Sequence, residues 1–459
     1  QDGTLKRVSG KLRIIYKNSI ETGTFINLDM EEFRDLRLTV DAFKLVLSEP
    51  EFEKLYAGIV LQAYLPESHE VFAELVEWSK ARQKNTGGVI KIRLVKGANL
   101  AMEKAEATLH GWVAAPYQSK ADVDASYSRL LDTALRAEHA DAVRIGVASH
   151  NLFHIAFALE IAKKRKVMDQ LDIEMLEGMA NPEALAIANR KLRILLYAPV
   201  TRADDFASAV AYLVRRLDEN TAIENYLRSS FEIADSKEIF DAQAERFLVS
   251  ADSRHEISTK SLRHKKIKFE VADSFENAPN ADLTKDSFVN KLDKEIRSVL
   301  AQSNQEIPIV IDGNEIYDRT LIDGYDPSDN AKIWYQYAVA RKSDVDSAVR
   351  IAKKSVADWD AKGAAMRGEI LKSFALLAHE EQESTIAIMA KDAGKTVAEA
   401  DPEVSEAIDF ANFYALSAIS LDLEKQSTPV GVVVVVPPWN FPYAIPTGGI
   451  CAALAAGNT

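Results

Sequence analysis

Two adjacent arginines followed by an acid make the most distinctive charged run in the chain, Arg215-Arg216-Leu217-Asp218-Glu219-Asn220. Two guanidinium forks suit a carboxylate, which arginine binds bidentately. Neighbouring helical residues point ~100° apart, so both reach one ligand only from a helix at a pocket rim. The alternative is an exposed helix turn with an Arg215–Glu219 i,i+4 pair. Three other places carry reactive types. Lys96 ends an apolar run and precedes Gly97. Ser149-His150-Asn151 follows another such run, where His150 is either a cofactor contact or a structural histidine. Cys451 is the only thiol and invites a nucleophile role, but its neighbours Ile450 and Ala452–Leu454 are apolar. An apolar site raises a thiol pKa, so Cys451 is expected to be a buried structural residue.

The elements that must position these groups alternate in type. Short β-type runs fall at Phe25–Asp29, Ile59–Tyr64, Val89–Val95, Arg144–Ser149, Leu171–Leu176 and Arg193–Tyr197. Helical spacing fills the gaps at Leu38–Leu47, Val71–Lys80, Val123–Ala137 and Leu152–Lys163. Strand and helix in alternation predict a parallel sheet covered by helices. Polar residues sit at the C-terminal ends of the runs: Asp29, Gln62, Lys96, His150, Glu177 and Tyr197. A (βα)₈ barrel builds its active site in this way, with an open doubly wound sheet as the alternative. Strand parity places Ile90, Ile92, Leu94 and Lys96 on one face and Arg93 on the other. The expectation is that Lys96, at the strand end, is the charge that points inward.

Past Ala203–Tyr226, which reads as helix, Arg228–Arg263 is mixed helical and polar. The basic run Arg263–Lys268 is expected to be a solvated face. Turn-rich FENAPNADLT at Phe275–Thr284 predicts a linker over 266–305. Short strands follow at Pro308–Asp312, Thr320–Asp323 and Lys332–Val339, then helices at Ser343–Trp359, Ala365–Lys391 and Pro402–Leu421. Val430–Val436 reads as a fully buried strand before Pro-Pro-Trp-Asn-Phe-Pro.

Composition narrows the function. The chain has 459 residues, 47% hydrophobic and 27% charged, an ordinary globular balance that excludes disorder as the main state. With 56 basic against 69 acidic residues, the net charge of −13 argues against a nucleic-acid or anionic-membrane surface and for a small-molecule enzyme. No run reaches the ~18 apolar residues of a membrane span, and no leader pattern opens the chain. One cysteine fits a reducing cytoplasm, and eight dispersed histidines give no metal cluster. Phosphate-loop and dinucleotide signatures are missing. Starting at Gln1 and stopping after the apolar Cys451–Ala456, the sequence is expected to be a fragment.

The motifs taken together carry more than each alone. KIRLVKGAN (91–99), ASHN (148–151), EMLEGM (174–179), LYAPV (196–200) and YLVRRLDEN (212–220) closely resemble, in this order, the proline dehydrogenase barrel of the bifunctional proline utilization A family. The resemblance runs from about residue 10 to about 265. AMRGEIL, DAGKTVAEA, EVSEAIDFANFYA and the final VGVVVVVPPWNFPYAIPTGGICAALAAGNT resemble the N-terminal part of an aldehyde dehydrogenase. The implied architecture is α/β: an incomplete (βα)₈ barrel of about six of eight strands over 1–265, a linker, and the first part of an aldehyde dehydrogenase domain over 306–459.

The resemblance implies FAD-dependent oxidation of L-proline to pyrroline-5-carboxylate, then NAD-dependent oxidation of glutamate semialdehyde to glutamate. Carried over by motif, Arg215 and Arg216 hold the proline carboxylate. Lys96 and Asp124 lie near substrate and flavin, Tyr197 completes the pocket, and His150 and Glu219 contact the flavin. Asn440 matches the asparagine whose side-chain N–H helps form an oxyanion hole. The family also implies a homo-oligomer, a quinone or peripheral-membrane electron acceptor, no metal and no nucleic-acid partner. Glutamine is common in the family where Gly146 stands, and glutamine and histidine where Glu174 and Glu177 stand. Flavin contacts are therefore not carried over to those positions. Rival readings are a Schiff-base lyase using Lys96 and a non-catalytic α/β scaffold.

Overall fold

The structure is a computed structural model that describes residues 2–221, 225–230, 232–263, 269–271, 274–302, 305–423 and 428–459. The side chains of residues 2, 215, 217–221, 422 and 423 lie outside that description, as does most of the basic run at 264–268. The chain divides into two compact units, Gln1–Thr108 with Val113–Lys265, and Leu109–Trp112 with Lys266–Thr459.

In the first unit, β1 (Ile26–Leu28), β2 (Ala57–Gln62), β3 (Ile90–Val95), β4 (Val143–Ala148), β5 (Leu171–Leu176) and β6 (Ile194–Tyr197) pair in sequence order. Every pairing is parallel, giving a six-stranded half-barrel. Register lines up two chemically different faces. Ile59, Ile92 and Ile145 lie abreast, as do Leu61, Leu94 and Val147. All of these are buried, in one core with the helices. The other face carries Asn27, Gly58, Gln62, Lys91, Arg93, Gly146, Asp172, Glu174 and Tyr197.

Local chemistry explains why the helices start and stop where they do. The helix Leu36–Leu47 buries Leu36, Val40, Phe43, Val46 and Leu47, the three-and-four spacing of one apolar stripe. Helix Ser68–Thr86 ends on Gly87, whose φ of 79° suits a residue without Cβ. Ser119 caps helix Lys120–Ala134 by accepting from the Asp122 N–H, and Asn151 caps Leu152–Arg165 by accepting from the Phe153 N–H.

The second unit is mainly helical. Gly363–Glu380, Gln382–Asp392, Val397–Leu423 and Ala444–Ala455 share a core containing Leu371, Ile386, Val404, Ile408 and Cys451. Ala400, Ala407, Ala411 and Ala415 are fully buried along one of these helices, where a small side chain lets a neighbouring backbone approach closely. The predicted helix Ala365–Lys391 is two helices, broken at Glu381, and the predicted Pro402 start lies inside a helix beginning at Val397. Segment 266–305 contributes the helix Asp286–Ala301. A hairpin joins Ile309–Ile311 to Asn314–Ile316 through Asp312-Gly313, both at positive φ as a tight two-residue turn requires.

Val430–Val436 is not the buried strand that its composition predicts. Val430, Val434 and Val436 are exposed, at 85%, 77% and 84%. Of the segment's backbone, Val433 N–H donates to Thr459 O and Thr459 N–H to Gly431 O. Residue type alone cannot make a strand, because the ladder needs neighbours on which to close. Among the described residues, no helix is long and apolar enough to cross a membrane.

Candidate active site

Arg93 anchors a charged cluster on the polar face of the half-barrel. Its Nη1 donates to Asp29 Oδ1 at 3.0 Å, beyond the end of β1, and its Nε donates to Glu174 on β5. The guanidinium lies 5.8 Å over the Tyr197 ring, a cation–π distance. Lys91, two residues earlier on the same face, pairs with Glu174 at 2.7 Å and Asp172 at 2.9 Å. Arg193 adds a second cation on Asp172 at 2.9 Å. Carboxylates and guanidinium groups from four strand regions thus hold one another in place.

The arginine-bearing helix Phe206–Thr221 comes to the same end of the sheet. Tyr212 sits 6.4 Å from Tyr197 ring to ring, and the Arg216 guanidinium lies 5.0 Å over the Tyr212 ring. Burial raises the Tyr212 hydroxyl's pKa, opposed by Arg216. Arg216 also acts electrostatically on His150. Burial lowers the imidazole of His150, whose Nε2 accepts the Leu176 N–H at 3.0 Å, and Arg216 lowers it further. A neutral ring accepting through Nε2 carries its proton on Nδ1. Tyr197, Arg216 and His150 are therefore brought together. The side chains of Arg215 and Glu219 lie outside the described residues, although the helix includes both positions.

Lys96 and Asp124 pair with each other rather than with this cluster, contrary to the expectation that Lys96 points inward. Lys96 continues the parity of Ile90, Ile92 and Leu94, and those residues face the helices. Its Nζ meets Asp124 Oδ1 of helix Lys120–Ala134 at 2.6 Å and lies 5.8 Å over the Tyr127 ring. Lys120 shares the same carboxylate oxygen at 2.6 Å. Burial lowers the Lys96 ammonium to about 8 against the pull of Asp124. Burial pushes the Asp124 carboxyl up, yet Lys96 and Lys120 together hold it well below its ordinary range. Arg93, assigned to the outer face from the sequence, is the inward charge. The apolar trio beside Lys96 was the available signal, since three fully buried aliphatics belong against helices.

Two strand-end residues not assigned a role from sequence also lie here. Gln62 is 3% exposed and donates through Nε2 to Met30 O, while its Oε1 is buried without a partner among the described residues. Asn27 Oδ1 is another buried acceptor without a partner among them. Buried acceptors of this kind are costly unless something donates to them. Glu177 is exposed in the turn after β5.

In the second unit Asn440 lies in an exposed turn after Trp439, which is 83% exposed. The turn is held from behind by Glu403, whose Oε1 accepts the N–H groups of Tyr443 and Ala444 at 2.8 and 3.1 Å. Lys395 pairs with the other Glu403 oxygen and lies 4.5 Å over the Phe441 ring. Cys451 is 3% exposed, and burial raises its thiol to about 11, as befits a structural residue. Among the described residues no group of His, Cys, Asp and Glu is arranged to hold a metal.

Comparison with known proteins gives both halves a family. Residues 3–229 match the proline dehydrogenase family, and residues 314–459 match the aldehyde dehydrogenase family. The bifunctional protein PutA of Escherichia coli is 29% identical over 449 residues, covering 95% of this chain and 33% of that protein. Along nearly its whole length the chain is similar to the PutA type of bifunctional protein. The crystal structure of proline utilization A from Bdellovibrio bacteriovorus superposes with a TM-score of 0.87 at 31% identity, over 100% of this chain and 47% of that one. PutA from Corynebacterium freiburgense gives a TM-score of 0.77 at 38% identity, over 100% and 41%. The chain spans about a third of the length of the curated PutA relative from E. coli. Both domain types, in PutA order, are present within it.

Proposed function

We propose that the first unit oxidises L-proline to pyrroline-5-carboxylate with FAD, and that the second belongs to an NAD-dependent step that oxidises glutamate semialdehyde to glutamate. The observation that carries this reading is the convergence of Arg93, Asp29, Tyr197, Tyr212 and Arg216 at the C-terminal end of a parallel half-barrel. A proline dehydrogenase match ends there and an aldehyde dehydrogenase match follows. Residues of the polar face fit a flavin. Gln62 Oε1 and Asn27 Oδ1 are buried acceptors awaiting donors, and Arg93 supplies a cation beside them on that face. Arg93, Gln62, His150 and Glu219 would hold it, with no metal.

A bound FAD would supply the acceptor for the hydride that leaves the carbon next to the proline nitrogen. The protein's share is orientation and charge. Arg216, with Arg215 from the same helix, holds the substrate carboxylate by charge-assisted bonds. Tyr197 packs against the pyrrolidine ring, and its own ring is fixed by Arg93 on one side. Asp29 keeps Arg93 directed to the strand end. Lys96 and Asp124, first assigned to the pocket, act instead as a brace between β3 and its covering helix. In the second unit Asn440 donates to the developing oxyanion, on a turn fixed by Glu403 and Lys395. The product of the first reaction, once its ring is opened by water, is the aldehyde that the second requires. A quinone or membrane-bound acceptor and a homo-oligomeric assembly complete the proposal.

The test is the absorption spectrum of the purified full-length protein and its reduction by L-proline. A flavin band bleached by proline supports the reading. A protein without flavin whose Lys96 is trapped by borohydride with a carbonyl substrate would replace it with the lyase.

A further inference from the structure

Gly146 has no side chain, and the space where one would begin is already taken. A Cβ built on Gly146 would lie 2.1 Å from Glu174 Oε1, closer than atoms can come, and in a tight 3.0 Å contact with Lys91 Cε. Glu174, on the neighbouring strand, leans across β4 into this gap. It is 4% exposed, and one oxygen meets Lys91 at 2.7 Å while the other accepts from Arg93 Nε. Lys91 has a second acid in Asp172, at 2.9 Å. Arg93 has Asp29 as well, but the Asp29 side chain is half exposed, so Glu174 is its one buried anchor among the acids described here.

We propose that Glu174 is the positioning residue for Arg93, and that Gly146 is the vacancy that lets it reach. Three features support this. The carboxylate bridges two cations on one strand, which fixes the guanidinium plane through its Nε edge and leaves Nη1 for Asp29. The guanidinium so placed covers the Tyr197 ring at 5.8 Å. Finally, a buried carboxylate is kept only where its charge is matched, and Lys91 and Arg93 match it from both sides. Glu174 thus acts through Arg93 and sets the charge that the polar face presents. The assignment rests on the proline-oxidising reading of that face.

The experiment compares Glu174→Gln, Glu174→Asp and Ser79→Ala in the flavin-loaded full-length protein, reading proline kinetics, the flavin spectrum and Tm. Glu174→Gln is expected to lower kcat by about 10²-fold, the scale of a small misplacement. KM for proline stays unchanged, since the carboxylate fork is on a different element, and the flavin spectrum shifts. Glu174→Asp keeps the charge but is one methylene shorter; it shows a smaller loss with the same spectral shift, and carries the test if Glu174→Gln does not fold. Ser79→Ala, which removes a buried hydrogen bond from Ser79 Oγ to Ala142 O outside this cluster, lowers Tm and leaves kcat and spectrum as they were. Wild-type kcat and spectrum in the folded Glu174 variants would overturn the inference alone, with the proline-oxidising reading intact. An equal kcat loss in Ser79→Ala would also overturn it, because any loss of stability would then suffice. A wild-type protein without flavin or proline turnover would overturn both.

Discussion

Arg93 and Lys96 are three residues apart, yet they belong to opposite sides of the same sheet. Arg93 lies among Asp29, Glu174 and Tyr197, where residues from several strands and the arginine helix converge. Lys96 is held by Asp124 beside Lys120, Tyr127 and His154, in a cluster belonging to the covering helices. Both clusters contain charge in partly dry surroundings. The difference is in what holds them: Asp29, Glu174 and Tyr197, from the strands and their ends, on one side, and Asp124, Lys120 and Tyr127 of a covering helix on the other. A perturbed charge marks a functional site only when it faces groups still able to bind something.

That contrast can be broken at several points. The largest effect is expected on the helix side. Asp124→Ala leaves Lys96 and Lys120 facing each other without their shared anion, a loss of about 3–5 kcal/mol for a buried pair left half made. Thermal or urea unfolding of the full-length protein should show it, while KM for proline in the folded fraction stays at the wild-type value. An equally large rise in KM would move Asp124 into the pocket.

Mild acid should also weaken the helix side. His69, hydrogen-bonded to Ser126 Oγ at 2.9 Å, has its pKa lowered by burial to about 4 from 6.5. The unfolded chain therefore takes up the proton first as pH falls, so stability present above pH 6.5 is lost between about 6.5 and 4. From His69 alone the loss is on the order of 3 kcal/mol by pH 4. His154, buried against Tyr127 and Phe247, shifts in the same direction. Urea midpoints at pH 7 and pH 4.5 measure it; His69→Gln should flatten the dependence, and an unchanged slope would contradict the assignment.

On the polar side Arg216→Ala is expected to raise KM for proline about 30- to 100-fold, the equivalent of ~2–3 kcal/mol for a charge-assisted bond, with the flavin still bound. Steady-state kinetics and a flavin count on the same preparation separate the two roles. Unchanged kinetics would return the arginines to the exposed-helix alternative. The smallest effect belongs to the second unit. Cys451→Ala should cost about 1 kcal/mol and leave aldehyde oxidation by the full-length protein intact, because removing one sulfur from a packed site changes only volume. An inactive but folded Cys451→Ala protein would make that thiol a participant.

How much of this was legible beforehand depended on whether a residue's neighbours in sequence were also its neighbours in space. All six strands of the half-barrel lie within two residues of the runs read from composition, because the buried central strands β2 to β5 announce themselves as apolar runs and the short outer ones keep the same residue types. Asp29, Gln62, His150 and Tyr197 were visible as polar strand ends for the same reason. Arg93 was misplaced because the inward direction was guessed from a charge at the strand end, whereas the buried aliphatics decide which face meets the helices. The Gly146–Glu174 exchange was seen as a departure from family habit, but its meaning lies in a cross-strand contact that no linear spacing records. Val430–Val436 misled in the opposite way, since strand composition without a completed ladder gives an exposed segment.

The most direct test of the central claim is the pair Arg93→Met and Lys96→Met in the full-length protein, each scored for bound flavin and for its reduction by proline. Arg93→Met is expected to lose proline reduction by about 10²-fold or more and to alter the flavin spectrum, through loss of a positioned charge. Lys96→Met is expected to keep both, with a lowered Tm. The reverse outcome, a silent Arg93→Met and an inactive Lys96→Met, would contradict the account and put the site on the helix side of the sheet.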